Sequence, residues 1–311
     1  MLARKPHRSN FAAMSPICSP FVRILLLLVG CLPQLGSAET LPGKWITTDG
    51  FQKRDLVFLA GSRDLVYTQE SSVTGGMQIM RMNLESGQVV RYFEKDPPGN
   101  REFSISKDGN VFAYNVVQGL SSRIHVVSSA VEATIPKLGK HPWANWPAVS
   151  PDGKQVTFVQ GARVIYQFDV IETPGRQRIR RLSIEGAEHS DYWPRYSPDG
   201  KQIVFASNRD GDFEIYLMDS DGLNQRRLTE SQGIDMHPTF SPDGESITFT
   251  SNRDGNYEIY RMRLSDRRTS RITFNPERDD YSRWHPSDGS LWFVSEHGGR
   301  FDVRKVEATW E

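Results

Sequence analysis

The chain has 311 residues, 37% of them hydrophobic, and its 38 basic and 38 acidic side chains cancel to a formal charge of zero. That is the composition of a globular protein of one large domain or two ordinary ones. It excludes the basic excess that nucleic-acid phosphates demand, so no nucleic-acid partner is expected.

The first predicted element is a leader. Arg4, Lys5, Arg8 and Arg23 precede the apolar run Ile24 to Val29, and Gly36-Ser37-Ala38 offers small residues for cleavage, the order of a secretory signal peptide. Ile24 to Leu35 is only twelve residues long and is broken by Pro33, short of the roughly 20 that span a bilayer. Residues 1–38 are therefore expected to be removed, leaving residues 39–311 as an exported, periplasmic chain. Their loss takes away four Lys/Arg and no Asp/Glu, so 34 basic face 38 acidic side chains, a charge of −4. Both cysteines, Cys18 and Cys31, fall in the leader, which leaves no disulfide or thiolate chemistry after cleavage. A second start stays open. Leu28-Val29-Gly30-Cys31 resembles a bacterial lipoprotein processing box, in which Cys31 is the acylated first residue and tethers the protein to a membrane.

After the leader the chain repeats itself. "SPDGKQIVFASNRDGDFEIY" at 197–216 returns as "SPDGESITFTSNRDGNYEIY" at 241–260. Aligned on the turn glycine, the copies fall at Gly109, Gly153, Gly200, Gly244 and Gly289, spaced 44, 47, 44 and 45, and a degenerate copy puts Ser62 47 residues before Gly109. Within a copy four short strands are predicted: one ending at Ser-Pro-Asp-Gly, then for example Gln202 to Ala206, Phe213 to Met218 and Gln225 to Leu228. Asp199-Gly200, Asp210-Gly211 and Asp221-Gly222 separate them, with glycine accepting the positive φ of tight hairpins. Six four-stranded antiparallel units at this period predict an all-β, six-bladed β-propeller. The sixth copy runs out after its third strand, Phe301 to Val306, while "KWITTDG" from Lys44 matches the fourth-strand ends "RRLTESQG" and "SRITFNPE". Lys44 to Thr48 is therefore expected to complete blade six and close the ring.

The segments "FSPDGESITFTSNRDGNYEIYRM" and "IYLMDSDGLNQRRLT" resemble the WD-type repeats of the TolB-like β-propeller family, most closely in blades four and five and over roughly residues 44–306. The resemblance implies a monomeric periplasmic or envelope protein that binds a protein or lipoprotein partner and touches the membrane only through that partner or a lipid anchor. TolB itself carries an α/β domain ahead of its propeller; here only Glu39 to Gly43 separate the leader from the first strand, so a propeller lacking that domain is expected. Some TolB-like propellers are lyases of pectin fragments that use histidines and a metal. This makes a metal-dependent carbohydrate lyase the alternative function, beside a lipoprotein scaffold anchored through Cys31.

No nucleophile elbow, His-Glu-x-x-His or phosphate-binding glycine loop occurs, and no catalytic residue or cofactor is assigned. His141, His189, His237 and His285 are 48 apart, yet they stand 12, 11, 7 and 4 positions before their blade glycines. They are read as loop or surface residues, not as the converging nitrogens of a metal ring. The segments that lead into the innermost strands are the better site. Trp146, Trp193, His237 and Tyr281 occupy one aligned position, and Asp191, Asp235 and Asp279 stand two before it in blades four to six. Arg195 and Arg283 follow, able to pair with those acids or with a bound carboxylate. This predicts an acidic, aromatic channel mouth suited to a cationic peptide, a hydroxyl-rich ligand or a divalent cation such as calcium. The structural alternative has Trp146 and Trp193 wedged between blades and the acids accepting loop amides. Asp219-Ser220-Asp221-Gly222 reads as a hairpin turn, and Arg209 with Glu214 and Arg253 with Glu258 as cross-strand pairs.

Overall fold

Each repeat makes a sheet that is apolar on both faces. In blade four the second strand, Gln202–Ser207, has Ile203, Val204, Phe205 and Ala206 all fully buried. Successive side chains of a strand point to opposite faces. Ile203 and Phe205 pack with Val159 and Ile165 of blade three, whereas Val204 and Ala206 pack with Ile247 and Phe249 of blade five. A sheet of this kind needs a neighbour on each side, and repetition supplies it.

The computed structural model describes residues 43–307 except 60, 73–75, 94–101, 162, 171–177 and 185–188. The expected leader and Cys31 lie outside the described residues. The described residues form six four-stranded antiparallel sheets and no helix. Blades one to five span residues 53–91, 103–134, 144–181, 191–227 and 235–271 in chain order, and blade six spans 279–306 plus 43–45. The first strand of each blade lies against the first strands of its two neighbours, lining a central channel.

Turn chemistry explains the repeated wording. In blade four Ser197 Oγ donates to Asp199 (2.6 Å), Asp199 accepts the Lys201 amide (3.1 Å) and Ser197 Oγ accepts the Gln202 amide (2.9 Å). Gly200 takes a φ of 74° there, open to glycine without penalty. In "SNRDG" Asn208 accepts the Ser190 amide at 2.6 Å and Asp210 accepts the Tyr216 hydroxyl. Arg209 does not pair with Glu214 as expected. Its guanidinium stacks over Tyr216 (4.8 Å) and reaches Asp191 (3.0 Å), and Arg253 likewise lies over Tyr260 (4.7 Å) and reaches Asp235 (2.7 Å). The glutamates turn to the other side and hold the outer strand. Glu214 accepts Thr229 Oγ1 (2.6 Å) and Arg227 (2.7 Å), and Glu258 accepts Thr273 Oγ1 and Arg271 (2.9 Å). Asp219 to Gly222 forms the expected turn, closed by the Asp219 amide on Leu223 O at 2.9 Å.

The same device closes the ring. Gly43–Trp45 pairs with Arg300–Val306 in the register Gly43↔Val306, Lys44↔Lys305, Trp45↔Arg304, so the closing strand begins one residue earlier than expected and is shorter. Thr47 stands where Thr229 and Thr273 stand in blades four and five: its Oγ1 accepts the Val303 amide (2.9 Å), as theirs accept Ile215 (2.8 Å) and Ile259 (2.9 Å). Asp302 plays the part of the glutamates, accepting Thr47 Oγ1 (2.8 Å), the Gly50 amide (3.1 Å) and Lys53 Nζ (3.2 Å). Lys53 is buried and also donates to Asp49 and to the carbonyls of Phe51 and Phe301.

Asp302→Ala removes the group that joins the two ends and leaves a buried ammonium with one carboxylate fewer. The expected loss is about 3 kcal/mol of unfolding free energy, read as a lower urea midpoint; an unchanged midpoint would show that closure does not rest on this contact.

Candidate functional site

Five of the six innermost strands break register at one place. The pairing slips between Arg54 and Val57, Asn145 and Ala148, Tyr192 and Arg195, Met236 and Thr239, and Asp280 and Arg283. Inside each slip sits a non-glycine residue with left-handed φ: Asp55 (51°), Trp146 (54°), Trp193 (53°), His237 (52°) and Tyr281 (55°). Such a conformation is an outlier for a bulky side chain and costs on the order of 1–3 kcal/mol per residue. A bulge re-aims a side chain and is common beside functional sites. Here it turns the same position of successive blades toward one end of the channel.

The result is a collar. Trp146 and Trp193 meet at 5.7 Å between ring centroids, Trp193 and His237 at 4.3 Å edge to face, and His237 and Tyr281 stack at 4.3 Å. The four expected aromatic residues are thus brought together as one ladder, half-buried. Trp146 and Trp193 also pack against the apolar clusters of their blades, so the wedge reading holds as well. Two carboxylates complete the circle. Glu102 accepts the Trp146 amide at 2.7 Å, and Asp55 lines the same cleft as Tyr281 and His237.

Asp55 and Glu102 were missed in the sequence. The signal was present, because Glu102 precedes Gly109 by seven residues, as Trp146, Trp193 and His237 precede Gly153, Gly200 and Gly244. Blades one and two lack the proline used for alignment, which hid it. Burial, and then the Asp55 charge, push the Glu102 carboxyl up to about 8. Burial also raises Asp55 against the pull of Arg195 and Arg283.

Behind the collar lie Arg195 and Arg283. Arg195 reaches Asp55 at 3.4 Å, Arg283 Nε donates to Leu56 O at 2.8 Å, and the cleft between collar and arginines is narrow, about 20 Å³. Neither arginine pairs with Asp191, Asp235 or Asp279. Those three acids are fully or almost fully buried, so the expected open negative rim is corrected. They brace the start of their own blades instead: Asp191 and Asp235 take Arg209 and Arg253, and Asp279 accepts Ser295 (2.6 Å) and Asn275 (2.8 Å). In blade six His297 stands where Arg209 stands in blade four, and burial pushes Asp279 up to about 6.

The histidines do not converge. His189 contacts Ile184 O at 2.9 Å, His285 contacts Asp288 at 3.1 Å, and His237 Nδ1 is committed to Asp280 at 2.6 Å. Burial would raise Asp280, but His237 and Arg278 outweigh it and hold the carboxyl well below the usual range. Among the described residues no three His, Cys, Asp or Glu side chains gather as a metal site. Among the described residues the acids and histidine of the collar, such as His237 and Asp235, are committed to protein partners and do not form a manganese site.

A family model described as the TolB β-propeller domain matches residues 146–311. Among solved structures, a TolB of Agrobacterium tumefaciens is 20% identical with a TM-score of 0.63, over 85% of this chain and 93% of that one. TolB of Acinetobacter baumannii is 20% identical with a TM-score of 0.62, over 80% of this chain and 64% of that one. An oligogalacturonate lyase in complex with manganese is 12% identical with a TM-score of 0.54, over 84% and 91%. At these identities the likeness is one of fold. No match is found among curated proteins.

Glu102 makes stability depend on pH. The folded chain keeps a proton that the unfolded chain releases above 4.5, so stability falls as pH rises from 4.5 to about 8 and then levels. Glu102→Gln is expected to remove that slope. Urea midpoints of the two proteins below 4.5 and above 8 check it, and parallel profiles would refute the assignment.

Proposed function

The chain belongs to the TolB β-propeller domain family, and from that premise we propose that it is an exported, non-catalytic propeller of the cell envelope that binds a protein partner at its collared channel mouth. One observation carries this reading: the aromatic ladder Trp146–Trp193–His237–Tyr281, held at left-handed positions in four successive blades. Backbone strain of this kind is kept where the arrangement does a task. Aromatic side chains set on a rigid frame are the residues that dominate protein interfaces. Arg195 and Arg283 stand behind the ladder, within reach of an acidic group on the partner. Asp191, Asp235 and Asp279 serve as the clamps that hold the frame.

A second reading, a metal-dependent lyase, is favoured by the likeness to an oligogalacturonate lyase in complex with manganese. It requires His237 to leave Asp280 and Asp235 to leave Arg253. It predicts divalent-cation uptake and activity lost in His237→Ala; the collar reading predicts neither.

Affinity capture from envelope extract tests the collar. Tagged residues 39–311 are expected to retain a specific partner, and a folded Trp193→Ala, Tyr281→Ala variant is expected to lose it about 30-fold or more, as for paired hot spots. Equal capture by both would sink the reading. The mass of the mature N-terminus tests export: a chain starting at Glu39 supports the signal peptide at 1–38, a lipid-modified Cys31 supports the anchored form, and an intact Met1 refutes both.

A further inference from the structure

The channel has a second mouth with a different chemistry. The innermost strands run from the collar to the Ser-Pro-Asp-Gly turns, and at that end Pro151, Pro198, Pro242 and Pro286 border an open cavity of about 350 Å³. Blade two carries Lys107 in "SKDG" where blades three to five carry Pro151, Pro198 and Pro242. Arg195 and Arg283 form the floor, so their guanidiniums are reached from this side as well as from the collar. Among the described residues that line the cavity there are three cations, Lys107, Arg195 and Arg283, and no carboxylate.

The turn aspartates of this face are occupied. Asp108, Asp152, Asp199 and Asp243 each accept the serine hydroxyl of their own turn, and Asp288 accepts that of Ser290. Asp152, Asp199 and Asp288 also have Lys154, Lys201 and Lys305 within 4 Å, at 3.7, 3.6 and 3.1 Å.

The charges on the floor do not balance. Arg195 has Asp55 at 3.4 Å and donates to Pro147 O at 3.3 Å. Arg283 spends only Nε, on Leu56 O, and among the described residues its two terminal amino groups meet no acceptor and its charge no carboxylate within 4 Å. Burial, and then the neighbouring Arg195, push the Arg283 pKa down to about 9, which still leaves it charged at neutral pH. Its amino groups open onto a cavity walled by residues such as Val149, Phe240 and Trp284, where an anion can complete them. Its planar fork matches the two oxygens of a carboxylate. One uncompensated charge asks for a monoanion.

We propose that the proline-bordered mouth is a carboxylate-binding pocket, in which Arg283, backed by Arg195 and approached past Lys107, holds an acidic group through two parallel hydrogen bonds. The site is reached from the end opposite the collar and does not depend on the partner-binding reading. The carboxylate comes from an acidic peptide or from a free small acid, and both are assayed.

Calorimetric titration of the full exported chain with acetylated tetraglutamate amide, with glutarate and with acetylated tetraglutamine amide tests this. Tetraglutamate or glutarate is expected to bind and tetraglutamine to fail. Arg283→Gln is expected to weaken binding at least about tenfold, and Lys107→Gln about threefold, with the latter effect lost at high salt. Arg283→Lys keeps the charge but loses the fork; an intermediate loss is expected, and it stands in where the glutamine variant does not fold. Tighter tetraglutamate assigns a peptide, and glutarate as tight or tighter assigns a free acid. Equal binding of tetraglutamine, an unchanged Arg283 variant, or no binding of either acid at millimolar concentration would overturn the proposal.

Discussion

A sheet that is apolar on both faces cannot stand alone, and every other feature of this molecule follows from that. Ile203 and Phe205 need blade three as much as Val204 and Ala206 need blade five. The demand passes from blade to blade and ends only when the last sheet meets the first. Stability is therefore shared among neighbours, and at one place in the ring the chain itself is discontinuous. There the protein repeats the wiring of its interior blades with different residues. A buried acid, Glu214, Glu258 or Asp302, receives the hydroxyl of Thr229, Thr273 or Thr47, and that hydroxyl in turn receives an amide of the third strand.

The channel inherits its layout from the same repetition. Because all six blades place one residue at the same height, the collar is a circle on which each blade contributes one side chain, and sequence divergence decides the chemistry. Blades three to six contribute the aromatic ladder, and blades one and two contribute Asp55 and Glu102. The circle is thus divided into an apolar arc and an acidic arc. The next inward-facing position carries arginine in blades four and six alone, at Arg195 and Arg283, so positive charge lies below the collar, toward the mouth that holds Lys107. A gradient of this kind gives a bound chain a direction as well as a position.

Fold was legible because its signals are local. Ser-Pro-Asp-Gly and Asn-Arg-Asp-Gly each fix a turn within a few residues, and their spacing yields blade number without any knowledge of contacts. The closing strand was legible for the same reason: "KWITTDG" preserves the threonine that the interior blades use. The site was legible only in part. Asp191 and Arg209 are 18 residues apart, one on the inner strand and one in the turn after the second, and nothing in their sequence says that the arginine turns back to the inner strand instead of across to Glu214. A reading that counts acids along a segment sees an open rim where the fold has made buried clamps. The left-handed residues were not legible either. Trp and Tyr are poor choices for positive φ, so the bulge that aims them is set by the register of the sheet and not by their own preference.

The way the ends are joined has a mechanical consequence. Gly43 pairs with Val306 and Trp45 with Arg304, so the first residue of the closing strand and the last residue of its partner sit at the same end of the ladder. Tension applied to the two flanking segments would load those hydrogen bonds one pair at a time, like a zipper, and not all together in shear. Under such a pull the ring would open first at the closing strand of blade six, with Asp302 and Lys53 as the next contacts beyond it.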